Sequence, residues 1–213
     1  MNINSSEKII LLALDWAYDK AIHGVIGLDS AAELAESYMK DGNNREQQAN
    51  NLIRWQNTKV GTSGFITGLG GFLTLPITLP TNITTVTYIQ IRMIAAIAHM
   101  GGHDIKDDRI RALVYICLTG NKAKEFFTDI GVFAGGSLRA NKAKNINEQT
   151  ISLINKHVGF SLLTTCGEKG MINLTKIFPF ICGVIGATFD ILSTNVIGTI
   201  AKHTFLEKSQ THL

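Results

Sequence analysis

The stretch TSGFITGLGGFLTLPITLP, residues 62–80, decides how the chain is read: with Gly61 it holds five glycines and two prolines, and it carries no charge. Three readings compete for it: a phosphate cradle, a membrane hairpin and a packed helical core. A Walker-type cradle needs G-x-x-x-x-G-K-[ST] after a strand, and a dinucleotide site needs G-x-G-x-x-G inside a strand-turn-helix unit. Here Gly64, Gly68, Gly70 and Gly71 run into Phe72, without a lysine and without a preceding strand. The spacing fits instead a small-x-x-x-small face, Gly64 with Gly68 and then Gly70 or Gly71, that lets another helix approach closely. Gly183 and Gly186 offer a second such surface.

The uncharged run is longer than this stretch. Between Lys59 and Arg92 lie 32 residues without a charge, more than the roughly 20 a helix needs to cross a bilayer. Eight of them are threonine, and Pro76 and Pro80 each remove a backbone donor and disfavour helix in the residue before. The run therefore divides into a glycine-lined helical half ending near Leu75, a short extended turn, and a helix from Thr81 or Asn82 to Met100. On that helix Val86, Ile89, Met93, Ile97 and Met100 form one stripe for a core, while Tyr88, Arg92 and His99 form another that can carry hydrogen bonds.

Outward from there the pattern stays helical. Ser5 or Ser6 caps a first helix that stops at Gly24. Ser30 and Glu33 form a capping box for a second, with Gly42 as the left-handed residue beyond it. Asn43 or Asn44 caps a third, whose Ile53, Gln56 and Val60 fall three or four apart. Asp107 or Asp108 suits the start of a short apolar helix ending at Gly120. LRANKAKNINEQ, about residues 138–149, separates this part from the C-terminal third as an exposed connection. From Thr150 on the pattern is helical again, and residues 177–201 hold a single charge, Asp190. No strand run stands out. The expectation is an all-α fold, one multi-helix domain over residues 1–213, with glycine-rich apolar central helices and an apolar C-terminal helix.

Composition excludes several functions. Charged residues are 17% of the chain against roughly 25% in typical soluble domains. Twenty basic residues against 17 acidic ones are spread along the sequence, which argues against a nucleic-acid partner. Cys117, Cys166 and Cys182 all sit among apolar neighbours, as reduced buried thiols do. No basic start precedes the apolar run Ile9 to Leu14, so no signal peptide is read and a cytoplasmic origin is expected. No cofactor is implied. His99 and His103 stand four apart, yet Gly101 and Gly102 intervene and no third ligand has a recognisable spacing, so no metal is expected. Neither G-x-S-x-G nor a cysteine with a positioned base occurs, and no catalytic residue is assigned. Asp190 is the acid of most interest, since a lone carboxyl in an apolar run has to be paired, neutral or facing water. Arg54 and Trp55 suit a boundary between wet and apolar surroundings.

Four blocks, DKAIHGVIGLDSAAELAESYM, NLIRWQNTKVGTSGFITGLGGFLTLPITLP, IQIRMIAAIAHMGGHDIKDDRIRALVYICLTG and VGFSLLTTCGEKGMINLTKIFPFICGVIGATFD, resemble the bacterial EcsC family in order and spacing, over about residues 8–205. The family is named after the third product of an ABC-transporter operon, and the resemblance implies no molecular activity. The protease label that some relatives carry finds no zinc-ligand set here. Matching positions of unknown role are Arg54, Trp55, Gln56, Gly64, Thr67, Gly68, Gly70, Gly71, Pro76, Arg92, Asp104, Asp107, Arg109, Gly167, Glu168, Lys169, Gly170 and Asp190. The chain departs from the family at His23 and His103, which are often Asn and Tyr there. The functional expectation is a non-enzymatic protein, accessory to transport or secretion, that meets inner-membrane lipid or a membrane protein, peripherally or by insertion. The alternative is a soluble hydrolase or small-molecule-binding domain whose polar pocket gathers Arg92, Asp107, Arg109, Glu168 and Asp190.

Overall fold

Several helices begin where a side chain satisfies backbone donors that the helix itself leaves free. A computed structural model describes residues 5–40, 42, 44–60, 81–130, 133–134, 137–138, 146–167 and 186–206. Helix α1, Ser5–His23, stops at Gly24, whose φ of 76° is the left-handed conformation that a glycine adopts without strain. Helix α2, Ala31–Met39, opens on the expected capping box: the Glu33 amide donates to Ser30 Oγ at 3.3 Å and the Ser30 amide to the Glu33 carboxylate at 2.8 Å. The Ser30 hydroxyl and then its amide, both bonded to the Glu33 carboxylate, hold that group below its usual range. Helix α3, Arg45–Val60, starts with the Gln47 amide on Asn44 Oδ1 at 2.8 Å.

Helix α4, Thr81–Met100, follows with the boundaries that Pro80 and Gly101 suggest. Helix α5, Asp108–Leu118, is capped by Asp107, and a single 3-10 turn, Gly120–Lys122, leads to α6, Ala123–Asp129. A hairpin of two-residue strands comes next, β1 Phe133–Ala134 against β2 Ser137–Leu138, antiparallel. It is a short extended pairing in an otherwise helical fold, below what hydrophobic alternation can signal. Helix α7, Glu148–Gly167, starts two residues before the sequence suggests, with Asn147 Oδ1 accepting from the Thr150 amide at 2.8 Å. Ile146 just ahead of it is buried, so the connection expected to be exposed is tied into the core at its C-terminal end. Helix α8, Gly186–Phe205, is the expected apolar C-terminal helix.

The helices wrap α4. From Tyr88 to Ala98 every residue is buried, and α1, α2, α3, α5 and α8 all pack on this one helix. The second stripe does carry a hydrogen bond, from Arg92 to the Asp29 carbonyl, and it is as dry as the first, because no face of the stretch from Tyr88 to Ala98 reaches water. A helix hydrophobic nearly all round belongs in the middle of a domain. Among the described residues, no helix is long and apolar enough to cross a membrane.

Contacts fix the directions. Gln90 meets Thr194, and the Gly101 backbone meets Phe205; both pairs are 104 residues apart, so α4 and α8 run parallel. Arg92 meets the Asp29 carbonyl and His99 faces Glu36, again at one separation, 63 residues, so α2 runs parallel to α4 as well. Asn57 meets Asn195, Ile53 meets Gly198 and Asn50 meets Lys202, so α3 runs antiparallel to α8. Gly64, Thr67, Gly68, Gly70, Gly71 and Pro76, and with them the hairpin about Pro76 and Pro80, lie outside the described residues, as do Gly183, Cys182, Glu168, Lys169 and Gly170.

Two glycines are required by close approach. A Cβ on Gly101 would overlap the Phe205 carbonyl oxygen, and one on Gly198 would stand 2.7 Å from Ile53 Cγ1. Gly101→Ala should destabilise by roughly 1–3 kcal/mol in urea or thermal unfolding, the range for overpacked sites. Gly198→Ala should cost less, because a side chain yields more readily than the backbone carbonyl at the end of α8. Equal midpoints for wild type and Gly101→Ala would contradict the docking of that end on the turn after α4.

Candidate functional site

Charge buried in the core is the most demanding feature of the chain. Arg92 is 1% exposed on α4, and effective desolvation penalties for a buried ion run to several kcal/mol. Its Nη1 donates to the Asp29 backbone carbonyl at 3.1 Å, and its guanidinium carbon stands 5.5 Å from the centroid of the Tyr88 ring one turn back. Among the described residues no carboxylate pairs with it, and its Nε–H, fully buried, has no hydrogen-bond acceptor. The Tyr88 hydroxyl is buried beside that guanidinium. Burial pushes that phenol up, with the adjacent guanidinium acting in the opposite direction.

Gln56, from the RWQ of α3, is entirely enclosed, and neither its amide nitrogen nor its amide oxygen meets a partner. Its sequence neighbours face outward: Arg54 is exposed and Trp55 is 51% exposed. Next to Gln56, Asn57 donates to Asn195 on α8 at 3.4 Å, and Gln90 donates to Thr194 at 3.2 Å. Polar contacts thus join α8 to α3 at the surface and to α4 in the core.

The remaining acidic and basic candidates sit elsewhere. Asp107 and Arg109 form an ion pair at the start of α5, beyond the end of the helix that carries Arg92. Asp107 Oδ1 accepts from the Arg109 amide at 2.8 Å, and both carboxylate oxygens accept from Arg109 Nε, at 2.9 and 3.0 Å. The Arg109 side chain, chiefly by hydrogen bonding, holds the Asp107 carboxyl below its usual range, and Asp107 in turn raises Arg109. Asp104 is exposed and accepts from the Lys106 amide at 2.9 Å. Gly167 ends α7. Asp190 lies on α8, where its backbone alone is described. The pocket of Arg92, Asp107, Arg109, Glu168 and Asp190 is therefore not assembled by its described members.

The histidines also take separate partners. His99 Nε2 lies 3.8 Å from Glu36, while His103 Nε2 lies 3.1 Å from the Phe205 carbonyl with the two rings edge to face. Cys117 is a free, buried thiol pushed up to about 12 by burial, as expected of an inert core cysteine.

Sequence reading missed the aromatic pair that joins α1 to α5. Tyr18 Oη donates to the Ile105 carbonyl at 2.8 Å, Tyr115 Oη donates to Asp15 Oδ1 at 2.9 Å, and the two rings meet edge to face at 5.7 Å. Burial raises both phenols. Two tyrosines 97 positions apart leave no local signal in the sequence. Asp29 was missed for a similar reason, because its backbone and not its side chain meets Arg92. An open groove of about 510 Å³ lies beside the same connector, lined among others by Lys20, His23, Leu28 and Glu33.

The Asp107 pair yields a test with a definite sign. Its folded-state carboxyl is depressed, so its stabilisation is present above the ordinary carboxylate range and is lost as pH falls through the folded value. Asp107→Ala removes cap and charge together and should cost about 1 kcal/mol at neutral pH. Asp107→Asn keeps the capping oxygen and should cost less, with its deficit vanishing in acid. Urea midpoints across pH for the three proteins measure both effects; a deficit constant with pH would rule out the ion pair as its source.

Comparison with curated proteins and with solved structures finds no match. The profile that describes the EcsC protein family matches residues 16–207, nearly the whole chain and all of the helical core around α4. Arg54, Trp55, Gln56, Arg92, Asp104, Asp107 and Arg109 all lie within that span, and the chain belongs to the EcsC protein family.

Proposed function

We propose that this protein is a non-enzymatic, membrane-associated helical factor, accessory to transport or secretion, that meets lipid or a membrane protein from the side. The observation that carries the reading is the outward pair Arg54 and Trp55 on α3. An aromatic ring beside a long cationic side chain is suited to the boundary between headgroups and hydrocarbon. The pair stands near the end of α3, directly before the charge-free stretch that begins at Val60.

A second feature supports a peripheral mode over a spanning one. The latter part of that stretch, from Tyr88 to Ile91, is consumed by the core of α4, so its apolar character there serves protein and not lipid. Further exposed apolar side chains, Leu12 and Phe160, flank the contact between Leu11 and Gly159 where α1 crosses α7. The alternative, a hydrolase or small-molecule pocket built from Arg92, Asp107, Arg109, Glu168 and Asp190, draws no support from its described members.

The test uses the tryptophan itself. In a Trp16→Phe background, Trp55 is the single indole, and vesicles of phosphatidylethanolamine with phosphatidylglycerol should shift its emission to the blue and carry the protein into the pellet. Trp55→Ser should weaken that partitioning by roughly tenfold or more, the loss expected when a large aromatic no longer leaves water. Protein that stays in the supernatant at every lipid ratio, with unchanged emission, would sink the lipid reading.

A further inference from the structure

The connector between α1 and α2 carries an apolar tip on a firm base. Val25 and Leu28 exchange backbone hydrogen bonds, the Leu28 amide to the Val25 carbonyl at 2.9 Å and the Val25 amide to the Leu28 carbonyl at 3.4 Å, so Ile26 and Gly27 form a two-residue turn. Gly27 takes a φ of 81°, which glycine adopts without strain. Ile26 is left 88% exposed, more than any other large apolar side chain among the described residues. A lone exposed apolar side chain is ordinary. This one borders the open groove of about 510 Å³ that Val25, Leu28, Lys20, His23 and Glu33 also line.

The groove sets one charge of each sign beside apolar side chains. Lys20 Nζ lies 3.3 Å from the Asp19 carboxylate, which occupies one of its three donors. His23 turns Nδ1 to the same aspartate at 3.0 Å, so Lys20 is the cation of the groove. Glu33 accepts the Ser30 amide and hydroxyl on Oε2, at 2.8 and 2.7 Å, and those bonds keep its carboxyl ionised at neutral pH while Oε1 stays out of the cap. A purely anionic ligand is disfavoured, because residues 1–40 carry six acidic residues against Lys8, Lys20 and Lys40. We infer that the groove takes the headgroup of phosphatidylethanolamine at a bilayer surface: Lys20 meets the phosphate, Glu33 accepts from the primary ammonium, and Ile26 enters the apolar layer. A choline headgroup has no N–H to give Glu33.

The turn lies toward the same end of the α2 and α3 pair as Trp55. Gln48 Nε2 donates to the Met39 carbonyl at 3.3 Å, so the end of α2 rests against the early part of α3. The two helices are antiparallel, which puts the start of α2 and the later part of α3 together at the other end. The turn just precedes that start, and Trp55 belongs to that later part.

This headgroup site rests on the lipid reading of Trp55, and vesicle composition separates the two. The full chain is sedimented with vesicles of phosphatidylethanolamine and phosphatidylglycerol, and with vesicles in which phosphatidylcholine replaces the phosphatidylethanolamine. Wild type should bind the first about tenfold more tightly, the worth of one hydrogen bond to a charged group. Glu33→Gln keeps a capping oxygen for α2 and loses the charge, and should bind both vesicles equally. Lys20→Gln should weaken both alike, since both lipids carry the phosphate. Ile26→Ser, at a position that contributes little to the core, should weaken both by about tenfold.

No sedimentation with either vesicle would overturn the lipid reading and the site together. Binding that depends on Trp55 and ignores the headgroup would overturn the site alone. A preference for phosphatidylethanolamine that survives Glu33→Gln would be a response to bilayer packing, and would overturn the headgroup assignment. Affinity untouched by Ile26→Ser or by Lys20→Gln would place the contact elsewhere on the surface and overturn the site as well.

Discussion

The enclosure of α4 is the constraint from which the rest of the structure follows. A helix whose residues from Tyr88 to Ala98 all avoid water needs neighbours on every side, and five helices supply them. Parallel packing of α2 and α8 on α4, with α3 returning between them, covers it with chain segments far apart in sequence. Close approach then becomes a local requirement. Gly198 admits Ile53, and Gly101 lets the end of α8 settle on the turn that follows α4. Fixing residues this distant in sequence has an entropic cost that only extensive apolar burial can offset.

Burying a cationic side chain in the same helix works against that stability. Arg92 gives up hydration and receives one backbone carbonyl and the face of Tyr88 in return. Replacing such groups with apolar ones is often neutral or stabilising, so packing alone is a poor reason for keeping an arginine there. The Asp107 and Arg109 pair makes the contrast plain, because it caps a helix at a half-exposed position where charge is inexpensive to hold. Of the two, only Arg92 is fully buried.

Most helix boundaries were legible because they rest on local chemistry. Ser30 with Glu33, Asn44 and Asp107 cap through contacts within three residues, and Gly24 and Gly42 take the positive φ that ends or follows a helix. The burial of Gln56 and Arg92 was not legible, although both were singled out. It rests on the register of α2, α3 and α4, and register between helices is set by the fit of side chains across the interface, which a single sequence does not display. The periodicity of α4 marked a stripe able to carry hydrogen bonds, and only the neighbours packed on that face make it dry.

A charge-free run is ambiguous because lipid and protein interior select alike for apolar side chains. What separates them here is the end of the run and not its length. Arg92 terminates the uncharged stretch, and in a membrane helix an arginine at that place would reach for the headgroup layer. Instead its guanidinium turns inward to the connector before α2, with Tyr88 beside it and buried helix continuing for two further turns. The end of the stretch, from Tyr88 to Ile91, is thus committed to a protein core, and any lipid contact has to be made by other parts of the surface. That division leaves Trp55, just ahead of the run, facing outward and Arg92, at its close, enclosed in the core, on one pair of antiparallel helices.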